Sequence, residues 1–219
     1  MKKLILSMIF LLGFSTTSYA TGSAGFTVSL ADVKADVSDD IDSNGTTDTT
    51  KSLSNDVVFA SIFLERAIND NMSVGIDFIP FEAEFESRST TQSSIKGAGT
   101  STTTGTNKGT ADVSNHLTLY IQPQREINDG LKVFGTLGLV RADVESKVQS
   151  ISSTDKTVEQ DLDGMKFGLG LKKETGFGFV KIEYSLTDYD DISATTSNNT
   201  KVTADIDTNI LALSVARNF

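Results

Sequence analysis

The sequence predicts an all-β chain: an eight-stranded antiparallel up-and-down transmembrane β-barrel, preceded by a cleavable signal peptide. Three observations carry this. Apolar residues recur at every second position in eight separate stretches, the pattern of strands with two unlike faces. The connections between those stretches alternate between tight turns and long polar segments, as a meander across a slab requires. After residue 20 no apolar run approaches the length of a membrane helix, so a membrane chain of this composition can span only as a closed barrel.

Residues 1–20 stand apart from the fold. Lys2 and Lys3 open them, Leu4 to Phe14 is almost unbroken apolar sequence, and Ser18 and Ala20 place small residues at −3 and −1. This is a secretory signal peptide cleaved after Ala20, leaving residues 21–219 as the barrel domain. The alternative, a retained anchor, has no further apolar sequence to extend it. Without Lys2 and Lys3 the chain carries 17 basic and 29 acidic residues, a net charge of −12. That balance excludes nucleic acid as a partner. The absence of cysteine rules out disulfides despite an oxidising compartment, and with them the lipoprotein route.

The eight stretches run at about 24–37, 56–67, 72–88, 111–126, 131–148, 162–173, 177–188 and 202–219. The first sets Phe26, Val28 and Leu30 against Thr27, Ser29 and Ala31. In the second, Val58, Ala60, Ile62 and Leu64 compete with Phe59 and Phe63 for the apolar face. The third opens on Met72, Val74, Ile76 and Phe78, then changes register to Phe81, Ala83 and Phe85. Pro80 sits at the change; it lacks a ladder donor, so a bulge or strand edge is expected there. The fourth shows Leu117, Leu119 and Ile121 against His116, Thr118, Tyr120 and Gln122. The fifth shows Leu131, Val133, Leu137 and Leu139 against Lys132, Thr136 and Gly138. The sixth shows Met165, Phe167, Leu169 and Leu171 against Lys166, Gly168, Gly170 and Lys172. The seventh shows Val180, Ile182, Tyr184 and Leu186 against Lys181, Glu183 and Ser185.

Three connections are tight: Asn69–Asn71, Asn128–Gly130 and Glu174–Gly176, all built from turn-forming residues. Four are long: Ser38–Asn55, Ser89–Thr110, Gln149–Asp161 and Tyr189–Lys201. These are rich in Ser, Thr, Asn, Asp and Gly and are expected to be solvated loops. A weak internal repeat supports the register: Arg66, Ile68, Asn69, Asp70, Met72 and Val74 echo Arg125, Ile127, Asn128, Asp129, Leu131 and Val133, 59 residues later. Similar hairpins facing similar solvents produce such an echo without a shared binding role.

The eighth stretch closes the chain. Leu211, Leu213 and Val215 alternate with Ala212, Ser214 and Ala216, and Phe219 ends it. A terminal aromatic is an interfacial anchor for a strand in lipid. A final amphipathic strand ending in Phe resembles the assembly signal of bacterial outer-membrane β-barrels. The likeness covers residues 21–219 by architecture, and by motif rests on Leu211, Leu213, Val215 and Phe219. Arg217 departs from it, because the family usually carries a hydrophobic or aromatic residue there; an arginine near a strand end can snorkel to the headgroups. The resemblance implies an outer-membrane address in a Gram-negative bacterium and a lipid environment. It also implies partners in biogenesis: the secretion channel, signal peptidase, periplasmic chaperones and the barrel-assembly machinery. A monomer is expected.

A soluble sandwich or a lipocalin-like barrel would share the alternation, and the charges choose between them. Lys132, Lys166, Lys172, Lys181 and Glu183, and Asp77 with them, fall in the register opposite the aliphatics. In an eight-stranded barrel they would fill a lumen just wide enough for side chains, and each buried charge would need a partner there.

No catalytic, cofactor-binding or metal-ligating residue is assigned. Asp40, Asp42, Asn44, Gly45, Thr46 and Asp48 match the first nine positions of a calcium loop, but Lys51 stands where a bidentate Glu would complete the shell. A solvated acidic loop is the expected reading. His116 is the sole histidine, and with Thr118 it resembles part of the His–hydroxyl–carboxylate set of lipid-modifying barrel hydrolases. No G-x-S-x-G elbow accompanies it, so it is expected to be a lumenal or headgroup-level polar residue and the chain not to be an enzyme. The low-complexity run Ser89–Thr110 contains no phosphate-cradling pattern. The expected function is structural and interfacial, with the long acidic loops displayed outside the cell. A narrow porin-like channel for ions or small solutes and an adhesin are the alternatives.

Overall fold

A computed structural model of the chain describes residues 22–40, 47, 49–81, 83–94, 103–150, 153–195 and 201–219. Ten strands are present: β1 (Gly22–Asp40), β2 (Thr49–Asn69), β3 (Met72–Ile79), β4 (Ala83–Ser94), β5 (Thr103–Asn128), β6 (Leu131–Ser150), β7 (Ser153–Glu174), β8 (Gly178–Tyr189), β9 (Ile192–Thr195) and β10 (Lys201–Asn218). They form eight staves, because β3 and β4 are one stave interrupted at Pro80, and β8 and β9 one stave interrupted at Asp190 and Asp191. Each stave pairs antiparallel with its chain neighbour. The last pairs with the first along Ser23–Asn218 to Asp40–Lys201, which closes the barrel. The expected eight-stranded up-and-down barrel is the observed fold.

The proline break behaves as its chemistry requires. β3 pairs with both β2 and β5, whereas β4 pairs with β5 through a register shift between Phe85 and Arg88. The second hairpin at the short-turn end, Asn128–Leu131, has Gly130 at φ 65, a conformation that costs glycine nothing. On the other side Asn115, φ 52, marks a bulge between Ser114 and Leu117 that resets which β5 residues face inward.

One expectation is corrected. The strands run well beyond the apolar period-two stretches on the long-connection side. The stretch at 111–126 is part of a strand from Thr103 to Asn128, and that at 162–173 part of one from Ser153 to Glu174. Much of each segment read as solvated loop is therefore paired strand. The reason is visible in the faces. Along β10 the outward residues Val215, Leu213 and Leu211 are apolar and exposed, the inward Ser214 is polar, and Ala212 and Ala216 are small. Past Leu211 the sense reverses: Asp207 and Asp205 point out and Ile210 and Ile206 point in. β1 changes between Leu30 and Asp32, and β6 between Leu139 and Arg141. Lipid-solvated staves thus continue as water-solvated staves around an ordinary apolar core. A search for outward aliphatics stops at the change, although the ladder does not.

Candidate functional site in the barrel lumen

The inward side chains define what the barrel can pass or hold. Near the short-turn end the lumen is filled by one carboxylate and two ammonium groups. Glu65 on β2 is 4% exposed and Lys181 on β8 is 5% exposed. Lys172 Nζ on β7 donates to Glu65 Oε1 at 2.8 Å, Lys181 Nζ donates to Glu65 Oε2 at 2.8 Å, and the Tyr120 hydroxyl donates to Oε2 at 3.3 Å. Rings close the remaining space: Lys172 Nζ lies 4.0 Å from the centroid of Phe179 and Lys181 Nζ 4.5 Å from that of Phe63. Phe63 and Phe179 themselves stand 6.1 Å apart in a tilted pair. Such cation–ring contacts strengthen when water is excluded. Phe134 joins them, almost fully buried. Glycines make room for these rings: a Cβ on Gly75 would lie 2.2 Å from the Tyr120 ring, and one on Gly170 2.4 Å from Phe134.

The next layer is a hydrogen-bond network. Gln122 Nε2 donates to Thr136 Oγ1 at 3.0 Å and to Glu183 Oε2 at 3.3 Å, and Thr136 Oγ1 donates to Glu183 Oε2 at 3.0 Å. Lys166 Nζ forms an ion pair with the other carboxylate oxygen, Glu183 Oε1, at 2.7 Å. Above lies a cavity of about 50 Å³ whose walls include Ser61, Asp77, Thr118, Lys166 and Thr187, with Ser61 Oγ donating to Asp77 at 2.8 Å. His116 and Tyr189 stand over it, Nε2 to hydroxyl 3.0 Å. Val140, Ala142, Val144, Leu162 and Tyr189 then pack into an apolar cluster, joined by Val113, Ile192 and Ile206. Between the charged floor and this apolar cluster the lumen thus holds a polar cavity of about 50 Å³.

The lumenal expectation holds for Lys166, Lys172, Lys181, Glu183 and Asp77, each turned inward and each with a partner or an adjacent opposite charge. Lys132 pairs with Glu174 at 2.5 Å at the short-turn mouth. The register contest in β2 resolves with Phe59 and Phe63 inward and Val58, Ile62 and Leu64 outward. Glu65, the residue on which the floor depends, was not singled out by the sequence reading. Its signal was there: it lies two residues from Phe63, in the same register. His116 and Thr118 both face the lumen, and Asp77 lies across the ladder from Thr118, but the ring of His116 is engaged by Tyr189. The calcium-like stretch lies outside the described residues, save Thr47 and Asp40 at the end of β1, whose carboxylate is not among the side chains described.

Outside the apolar belt on the long-connection side, acid faces acid across the ladder. Asp32 is opposite Asp56, Asp36 opposite Asp205, Asp143 opposite Asp161, Glu145 opposite Glu159 and Asp188 opposite Asp207. Arg141 relieves part of this by pairing with Asp161 and, at 3.7 Å, with Asp163. The carboxyl of Asp205 is held above its ordinary range by its slight desolvation and by the charges of Asp191, Asp207, Asp188 and Asp36.

A closed antiparallel barrel with an outward aliphatic belt, a charged and packed lumen and a terminal aromatic is an integral membrane protein of the β-barrel class. Comparison places it more closely. Residues 6–219 match the outer membrane protein beta-barrel domain, and the chain belongs to that family. It is a protein of the cell outer membrane. Solved structures with the same fold include the outer membrane protease OmpT of Escherichia coli, at 8% identity and TM-score 0.53, covering 94% of this chain and 99% of that one. Outer membrane protein AlkL matches at 16% identity and TM-score 0.49, covering 94% of both chains. The attachment invasion locus protein Ail of Yersinia pestis matches at 14% identity and TM-score 0.38, covering 87% of this chain and 98% of that one. A search of curated proteins finds no match.

Proposed function

We propose that this protein is a non-conducting, non-catalytic outer-membrane barrel whose role is structural and interfacial. It is a stable membrane plug that carries an acidic, water-solvated tube and its loops beyond the lipid. The observation that supports this most is the charged floor of the lumen: Glu65 bridging Lys172 and Lys181 at 2.8 Å each, packed among Phe63, Phe134 and Phe179. Such a floor leaves little room for a hydrated ion to pass. The folded protein is expected to leave a planar bilayer electrically silent. Steady unitary currents would instead favour the narrow porin-like channel.

The barrel acts as a monomer, since its strands are paired all round within the aliphatic belt, and it reaches the membrane through periplasmic chaperones and the barrel-assembly machinery after loss of residues 1–20. Intact mass of the mature protein should correspond to a chain starting at Thr21. An adhesive role finds support in strands such as β5, 26 residues long, which carry the tube well past the belt. It loses that support if cells displaying the protein attach no better than cells without it.

A further inference from the structure

The barrel wall has a gap beside Pro80, and the lumenal cavity lies behind it. β2 pairs with β3 only from Ile62 to Asn69. Among the described residues, its part from Thr49 to Ser61 pairs with β1 alone, and β4 pairs with β5 alone. Pro80 brings no N–H with which to continue the ladder. The inward side chains record the opening. Phe59, Asp77 and Ile79 flank the gap and are only half-buried, whereas Thr187 on β8 and Ile210 and Ala212 on β10 are buried. All six line the cavity, whose volume of about 50 Å³ has room for roughly three waters. Outside, Val58, Ile62 and Phe81 stand exposed around the gap. The polar groups within are incompletely used. Asp77 accepts one hydrogen bond, from Ser61 Oγ at 2.8 Å, and has no ammonium within ion-pair distance among the described residues. His116 Nδ1 is buried without a hydrogen-bond partner. Asp77 lies across the ladder from Thr118, and Ile79 from His116. The carboxylate and the imidazole are therefore diagonal neighbours on one face, within reach of a single bridging oxygen.

We propose that the cavity is a binding pocket for a small neutral alcohol, aliphatic or aromatic, which enters by the gap beside Pro80. The hydroxyl sits between Asp77 and His116, and the apolar end lies along Phe59 and Ile79 in the gap. Charge selects a neutral guest. Three carboxylates in this part of the lumen, Glu65, Asp77 and Glu183, are matched by three ammonium groups, Lys166, Lys172 and Lys181. A charged guest would unbalance that buried set. A hydroxyl is the fitting head because it both donates and accepts. With Tyr189 donating to His116 Nε2, the proton of the neutral imidazole is on Nδ1. The hydroxyl then accepts from Nδ1 while donating to Asp77. Beneath the pocket lie Gln122 and Glu183, and then the Glu65 floor, so binding here requires no conduction through the barrel.

The test uses the sole histidine as its reporter. Mature protein labelled with nitrogen-15 in histidine is folded into phosphatidylcholine nanodiscs, and folding is confirmed by the heat-dependent shift in electrophoresis. Benzyl alcohol is titrated in and the imidazole resonances are followed by NMR. A saturable shift is expected, with cross-relaxation between the protons of the ligand ring and those of the imidazole. Toluene at the same concentration in the bilayer leaves the polar atoms unpaired, and should bind at least about tenfold more weakly. Benzylammonium and benzoate should bind more weakly too. Thr187→Leu fills the cavity from the wall across the lumen and should abolish the saturable shift, whereas Thr187→Val should keep it. Should Thr187→Leu fail to fold, the cross-relaxation in wild type carries the test by itself. Absence of a saturable shift or of cross-relaxation overturns the proposal, as does an equal response to toluene or an unchanged shift in Thr187→Leu. Tighter binding of benzylammonium overturns it too, in favour of a cation site at Asp77.

Discussion

At the scale of single residues the lumen floor rests on Glu65. Its two oxygens hold Lys172 and Lys181, and neither ammonium has another carboxylate within bonding distance among the described residues. A buried ion pair adds little relative to an apolar replacement, but removing one partner strands the other in a low-dielectric interior. Glu65→Ala strands two. It is expected to destabilise the folded barrel by about 3–5 kcal/mol, measured as the shift in the urea unfolding curve of vesicle-embedded protein. The triple replacement Glu65→Leu, Lys172→Leu, Lys181→Met should recover most of that loss. If Glu65→Ala unfolds like wild type, the floor is not held by charge. Why Glu65 was hard to pick out is equally physical. On β2 both registers carry large apolar residues, because Phe59 and Phe63 fill the lumen while Val58, Ile62 and Leu64 meet lipid. Alternation in hydrophobicity, which identified Lys166, Lys172 and Lys181 at once, is weakest where rings plug the barrel.

At the scale of the element, β10 shows how one strand serves two solvents. Leu211, Leu213 and Val215 face hydrocarbon, and Asp205 and Asp207 face water on the same side of the same strand. The cost of a charge should follow that boundary. Leu213→Arg is expected to cost about 2–4 kcal/mol, because the site lies within the belt. Asp207→Arg, in the same outward register, should cost little, because the attraction gained to Asp188 is set against the repulsion from Lys34 on its other side. Folding titrations into vesicles check both, and comparable losses at the two sites would place the lipid boundary elsewhere. The strands' existence, order and short turns were legible in the sequence; their far ends were not. Beyond the belt the outward face turns polar and the inward face apolar, as along β1 from Asp32, β6 from Arg141 and β10 from Asn209, a soluble strand's pattern inverted relative to the rest. The ladder continues there, because β-branched residues fit a pleated strand in water as well as in lipid.

At the scale of the whole molecule the charge is unevenly distributed. Carboxylates oppose carboxylates at repeated ladder positions on the long-connection side, where like charges directly opposite are destabilising, while the outward bases ring the other end. Asp205 reports the strain. Its folded value is raised above the ordinary 3.8, so the protonated form is favoured in the fold. The stability this confers is complete below 3.8 and is lost as pH rises through the raised value. Lowering the pH from 7 towards 4 should therefore protect the loop-side ends of β1, β8 and β10 from added protease. Raising the salt from 0.1 M, where screening acts over about 10 Å, to 1 M should do the same. Asp205→Asn should give the protection at pH 7 and no gain at acid pH. Cleavage rates independent of pH, salt and this substitution would mean that the repulsion is too well screened to matter.

The strand pattern by itself determined the fold class, the up-and-down order and the side on which the long connections lie. It also determined that Lys166, Lys172, Lys181 and Glu183 stand opposite the aliphatics. All of these follow from local periodicity and turn chemistry, which neighbouring residues carry between them. Only the closed tertiary structure decided that one glutamate pins two lysines drawn from strands more than 100 residues away, that rings pack around them, and that acids meet acids above the belt. Those outcomes depend on register across the closure and on which rings reach the axis. Such distances exist only after the first and last strands have paired.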